Sequence, residues 1–158
     1  MANPANETVI YPFTAFNFAV EIRVEGVSEQ VCNASFAECD GLEMTTEVKT
    51  IREGGNNGSQ IRLSGPMAFA QLTLKRGMTA NFDLWDWVGA ALVNPALRAE
   101  ADVVLFAADG QTKRATFRLK RCIPVKLKAP ALNAKDGMVG IEELQLAYET
   151  LTLIRPEG

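Results

Sequence analysis

Three groups of residues in this 158-residue chain have side chains and spacings that could do chemistry. Asp83 and Asp86 stand three apart in a segment of helical periodicity, where two carboxylates share a face and could work as an acid–base pair. Gly54-Gly55-Asn56-Asn57-Gly58 is rich enough in glycine to be tested as a phosphate loop. Arg114, Arg118 and Lys120 alternate along a strand-like run and form a basic ladder that could grip phosphates. Each has a plainer reading. Aspartates in a first helical turn are stabilised by the helix dipole. The glycine-rich stretch has no Lys-Ser/Thr after it and opens no helix, so its reading is a hairpin tip. The ladder is matched by Glu143, Gln145 and Glu149 on a later strand; if the two strands pair, the charges neutralise one another on one polar face. No aromatic residues interleave with the cations, as a single-strand nucleic-acid groove requires.

The remaining reactive side chains add little. Glu142 and Glu143 are adjacent on a strand and point to opposite faces. Cys32, Cys39 and Cys122 are an odd count without CxxC spacing. The chain has no histidine, which excludes Ser-His and Cys-His nucleophiles and leaves the cysteines as small buried thiols. Trp85 and Trp87 read as packing residues of a core or interface. No nucleophile with a base, metal cluster or cofactor loop emerges, so the expectation is a non-enzymatic protein without cofactor. Net charge is −3 with a pI near 5.1, which gives no general attraction to nucleic acid. No apolar run reaches membrane-helix length, and residues 1–12 lack a signal-peptide pattern. The expected place of synthesis and assembly is the cytoplasm.

The elements that position these groups are mostly strands. The length fits one domain, with residues 1–12 as a flexible lead and 13–158 as the folded unit. Phe16, Phe18, Val20, Ile22 and Val24 alternate with polar or small residues, the pattern of a strand with one buried face. Short strands are expected over Val31–Glu38, Phe69–Arg76 and Ala101–Ala107. Asp109-Gly110 reads as a two-residue hairpin turn leading to a strand over Thr112–Arg121. Ile123-Pro124 should break or bulge the pairing of that strand, and Val139–Ile154 reads as one long final strand. The single helix follows Thr79 or Asn81 as cap. Its stripe is Leu84, Val88, Ala91 and Leu92, and Trp85 joins Leu84, Val88 and Leu92 in its packing. The sum is a mainly β fold, an antiparallel barrel or sandwich with one flanking helix.

One stretch does not fit a compact domain. Thr45–Leu63 reads as two alternating strands joined by the Gly/Asn tip, ended by Gly65-Pro66, with neither face cleanly apolar. A two-stranded ribbon is marginal alone in water. This projecting arm therefore expects a partner surface.

The chain resembles the inner-tube proteins of contractile phage tails and phage-tail-like contractile injection systems. The resemblance spans roughly Phe13 to Ile154. It is carried by F-N-F-A-V-E-I at Phe16–Ile22, F-A-E-C-D-G-L-E at Phe36–Glu43, I-R-E-G-G at Ile51–Gly55, L-T-L-K-R-G at Leu72–Gly77, L-W-D-W at Leu84–Trp87 and I-E-E-L-Q-L-A-Y-E-T-L at Ile141–Leu151. Asp40 stands where the family often has Ser, and charge and Cys occupy Arg118–Cys122 where it often has a small or aromatic residue.

The resemblance implies six subunits in a ring, rings stacked into a hollow tube, a surrounding sheath, baseplate and spike partners, and a lumen that can hold protein cargo. It implies that Arg52, Glu53, Gly54, Gly55, Asn56 and Asn57 contact the next ring. It also implies that Arg114, Arg118, Glu143 and Gln145 lie on the polar lumen face. A tube-initiating adaptor ring joining the tube to the spike is the second reading, and an unrelated ligand-binding barrel the third.

Overall fold

The structure is a computed structural model and describes residues 17–25, 30–52, 54–55, 58–135 and 137–156; side chains of 30–34 are outside the description. The expectation of a flexible segment at residues 1–12 falls outside these residues. Ten strands and one helix follow in the order β1 Phe18–Val24, β2 Gln30–Ala34, β3 Glu38–Asp40, β4 Met44–Ile51, β5 Ile61–Phe69, β6 Leu72–Gly77, α1 Asp83–Val93, β7 Ala99–Phe106, β8 Lys113–Lys128, β9 Ile141–Ala147 and β10 Thr150–Ile154. All pairings are antiparallel. Eight strands form one path, β2-β1-β7-β8-β9-β6-β3, with β10 also on β8, while β4 and β5 pair only with each other. Among the described residues the path runs open from β2 to β3 and does not close into a barrel.

A bend in β8 folds this path into two layers. Its first half pairs with β7 and β10, and its second half with β9. Of the break or bulge expected at Ile123-Pro124, the structure has the bulge, a register shift between Pro124 and Lys126, and the strand continues to Lys128. Proline lacks a donor, and the bulge accommodates it without ending the pairing. Arg121 adopts φ 55, the left-handed region, just before the bend. The expected single final strand is likewise split at Tyr148-Glu149, where it turns from the second half of β8 to the first. The Glu149 amide donates to Lys120 O at 3.0 Å, and Arg121 Nε meets Glu149 Oε2 at 2.9 Å.

Between the layers lies the core. β1, β7 and β8 contribute Val20, Ile22, Ala101, Val103 and Leu119, and β6 and β9 contribute Leu72, Leu74, Leu144 and Leu146. In β1 the burial alternates as its sequence does. The turn after β7 is longer than the two residues expected. Ala107 and Thr112 close it by backbone hydrogen bonding, and Asp109 accepts from the amides of Gln111 and Thr112, both at 2.9 Å. The Thr112 hydroxyl, which donates to Asp109 Oδ2 at 2.6 Å, and then these amides hold the exposed Asp109 carboxyl down at about 2.

Helix α1 buries Leu84 and Trp87, with Val88 packed against the core. Leu92, expected in the stripe, is 79% exposed. Trp87 takes the inward place one turn after Leu84, leaving the last turn of the helix beyond the sheets. Asn81 Oδ1 accepts from the Asp83 amide at 3.1 Å, so the polar residue expected to cap the helix does so from just outside it.

Candidate functional site

Among the described residues the β4–β5 ribbon has no strand neighbour and almost no core contact. Every residue of β4 is exposed. Its register pairs Thr46 with Met67 and then Val48 with Ser64, so Gly65 and Pro66 bulge opposite Glu47. Pro66 therefore sits inside β5, and the strand expected to end there runs on to Phe69.

The bulge inverts which residues of β5 share a face with β4. Near the root, Met44, Met67 and Val48 lie on one face. Toward the tip, Ile51, Ile61 and Leu63 lie on the other, beside Lys49. These six side chains are 42–57% exposed. The ribbon thus bares an apolar patch on each face, at different heights. Strict alternation, read without the bulge, scatters these residues and makes both faces look polar. Gly65 is required here: a Cβ would stand 2.6 Å from Glu47 O.

The ribbon's root is clamped to the two-layer body. Tyr148 Oη donates to Gly41 O at 2.8 Å, and its ring lies 5.5 Å from that of Phe69. Burial raises the Tyr148 pKa, so this donor stays protonated. The Ala70 amide donates to Glu43 O at 3.2 Å. Gly41 has φ +112, and a Cβ there would lie 2.1 Å from Gln71 O. Replacing Gly41 by Ala is expected to cost about 2–4 kcal/mol through backbone strain and overpacking. Urea unfolding followed by tryptophan fluorescence checks this, and an unchanged midpoint contradicts the clamp. Of the tip residues expected to touch a neighbour, Arg52, Gly54 and Gly55 are exposed at the ribbon's end, and Gly55 has φ +96. Glu53, Asn56 and Asn57 lie outside the described residues.

The four residues expected on one polar face are not brought together. Arg114 and Arg118 stand on the outward side of the β1-β7-β8 layer, where Arg118 faces Asp102. Glu143 and Gln145 stand on the outward side of the other layer, opposite Lys128 and Lys126 on β8 and Lys75 and Thr73 on β6. The misreading came from pairing the first half of β8 with β9; the bend in β8 gives that half to β10.

Both faces are charge-balanced by different partners. Asp102, 5% exposed, accepts two bonds from Arg118 at 2.9 and 3.0 Å and one from Arg23 at 2.8 Å. The bond to Asp102 raises the Arg118 pKa. On the other layer Lys128, Glu143, Lys75 and Glu38 alternate in sign along one row across four strands.

A buried ion pair under the helix was not anticipated. Arg76 and Glu142 are 6% and 1% exposed and bonded to each other. Trp85 Nε1 donates to the other carboxylate oxygen at 3.0 Å, and Arg76 Nη2 donates to Asn81 O at 3.3 Å. The Arg76 guanidinium also lies 5.5 Å from the Phe36 ring. The signal was present in the alternation: Arg76 shares the inward parity of Leu72 and Leu74, and Glu142 that of Leu144 and Leu146. The group ties α1 to β6 and β9. It is enclosed between them and has no open approach for a substrate.

Other reactive groups are muted. Asp83 and Asp86 stand in the first turn of α1, where the helix dipole favours carboxylates. Burial pushes the Cys39 and Cys122 thiols up to about 12, so thiolate chemistry at neutral pH is suppressed. Among the described residues no group of three or more Cys, Asp or Glu side chains is placed to hold a metal. Among the same residues no helix is long and apolar enough to cross a membrane.

Two β layers with open edges, charge-balanced outer faces and an unpartnered ribbon define a structural subunit whose surface awaits further chains. The chain belongs to the T4-like virus tail tube protein gp19 family, whose model matches residues 14–152. A comparison with curated proteins finds no match.

Among solved structures, a chain of the anti-feeding prophage baseplate is 23% identical, with a TM-score of 0.82 over 93% of this chain and 98% of that one. A chain from the tube-terminating cap of the same particle gives 20% identity and a TM-score of 0.80, covering 99% and 100%. A chain from the extended sheath–tube complex of an extracellular contractile injection system gives 18% and 0.79, covering 99% and 100%. These likenesses show the fold.

Proposed function

We propose that this protein is the inner-tube subunit of a contractile injection system, closing into six-membered rings that stack into a hollow tube. The observation that carries the reading is the β4–β5 ribbon. Six large apolar side chains are bared on a two-stranded element that pairs with no other strand among the described residues, in a tail tube family member. A contact that closes by rotation makes a ring, and a second contact along the axis makes a filament. Arg52, Glu53, Gly54, Gly55, Asn56 and Asn57 are assigned to the contact with the next ring. The open edges of the two layers pair between neighbours in the ring, which removes unpaired strand edges.

Assembly takes place in the cytoplasm. The partners are a sheath around the tube, baseplate and spike proteins at its end, and protein cargo in the lumen. The subunit itself is not an enzyme. One charged outer face lines the lumen: either that of Arg114 and Arg118 or that of Glu143 and Gln145. Balanced charge there keeps the channel wet and weakly adhesive.

Electron microscopy of the purified chain tests the reading. Tubes are expected; a persistent monomer overturns it, and single rings that never stack assign the chain to the adaptor position instead. In assembled tubes, Arg114→Cys and Gln145→Cys are each treated with a thiol reagent too large for the lumen. One position is expected to be protected and the other labelled above the unmutated chain. Labelling of both overturns the lumen assignment.

A further inference from the structure

A second exposed apolar feature lies at the other end of β6 from the ribbon's root. The loop between β8 and β9 arches beside β6 and β9 and encloses a groove of about 660 Å³. Pro130, Leu132, Met138, Val139 and Ile141 line it, with Lys75, Lys128 and Glu143 on its wall. Leu132, Met138 and Val139 are 75–95% exposed. The loop is anchored at its base, where the Met78 amide donates to Gly140 O at 2.9 Å, and a Cβ on Gly140 would lie 2.9 Å from Pro130 Cβ. The anchoring leaves the apolar side chains projecting rather than collapsing onto the sheet.

The positions of ribbon and groove are set by β6 and β9. β6 starts at Leu72 beside the ribbon's root and ends at Gly77 beside the groove, and β9 runs the opposite way from Ile141 to Ala147. Six residues at about 3.3 Å each put the two features roughly 20 Å apart along the strands, with the ribbon leaving one pole and the groove at the other. The chain's own ribbon does not cover the groove, whose Leu132, Met138 and Val139 stay 75–95% exposed. A second copy displaced along the strand direction can.

We propose that the tipward face of the ribbon seats in the β8–β9 loop groove of the next copy along the tube axis. Ile51, Ile61 and Leu63 cover Leu132, Met138 and Val139. The charges match as well. Glu47 and Lys49 follow each other on that ribbon face, and Lys128 and Glu143 are register partners on the groove wall. Glu47 meets Lys128 and Lys49 meets Glu143. A pole-to-pole contact of two different patches does not close on itself, so it propagates as a filament. The apolar patch on the ribbon's other face, Met44, Met67 and Val48, stays outside this contact.

This inference rests on the tube reading above, and its test separates the two. Leu63→Cys and Leu132→Cys chains are mixed, assembled and mildly oxidised. A covalent dimer that needs both variants is expected, with none from Met67→Cys mixed with Leu132→Cys, because Met67 faces the other way. Leu132→Asp is expected to leave the subunit folded by circular dichroism and to abolish stacking. Tubes that form normally without the Leu63–Leu132 link overturn the groove assignment and leave the tube reading intact. Links from Leu63→Cys to Phe82→Cys on the helix, in place of Leu132→Cys, overturn it as well. Failure of the unmutated chain to make any tube defeats the tube reading itself.

Discussion

Deleting Gly54–Gly58 is expected to leave a folded subunit that makes rings or monomers but no tubes. The ribbon contributes only Phe69, at its root, to the residues packed on the core, and that position is untouched. Among the described residues β4 and β5 pair with each other and with no other strand, so shortening their tip removes no core contact seen there. Surface changes of this kind usually shift stability by no more than about 0.5 kcal/mol, and the thermal midpoint should hardly move.

Assembly should respond very differently. The tip carries Arg52, Gly54 and Gly55, and its loss pulls Ile51 and Ile61 back from any neighbouring chain. Buried apolar side chains contribute about 1.5–3 kcal/mol each, and a tube multiplies that contact at every subunit. Sedimentation and electron microscopy read the result. Tubes of ordinary length from the deleted chain would remove the ribbon from the axial contact.

The largest stability effect is expected at the buried ion pair. Arg76→Met leaves the Glu142 carboxylate enclosed, with the Trp85 indole still donating to it. Breaking a buried pair by removing one partner costs about 3–5 kcal/mol. For a domain of this size each kcal/mol moves the melting temperature by about 2–4 °C, so a fall of about 10 °C is expected. Arg76→Met combined with Glu142→Leu should recover most of it, because the double change removes both charges and keeps the volume.

The double variant also separates stability from positioning. Trp85 loses its acceptor, so its fluorescence should shift even where the melting temperature returns. Calorimetry of the single and double variants, with emission spectra, distinguishes these effects. A single variant as stable as the parent would mean that the pair is not desolvated.

Several parts of this fold were legible residue by residue. Alternation in Phe18–Val24 predicted both the strand and its buried face, because a period of two has one solution once one side is apolar. The spacing of Leu84 and Val88 located the helix. The arm was visible as a hairpin without a core. The arm's faces were not legible. A single bulge at Gly65-Pro66 exchanges inside for outside beyond it, and no local pattern announces which side of a bulge keeps the register. Pairing of Arg118 with Asp102 rather than with β9 was equally hidden, because it depends on where β8 bends.

By itself, then, the sequence determined the local elements, the apolar parity of most strands and the family, since these depend on neighbours in the chain. Arg76 and Glu142 were marked by parity but identified as a pair only when β6 and β9 came together. Tertiary structure alone decided the open two-layer sheet, the ribbon's two apolar patches and the groove at the opposite pole. The physical reason is that bulges and bends cost little locally, while the strand partners that fix them are tens of residues away.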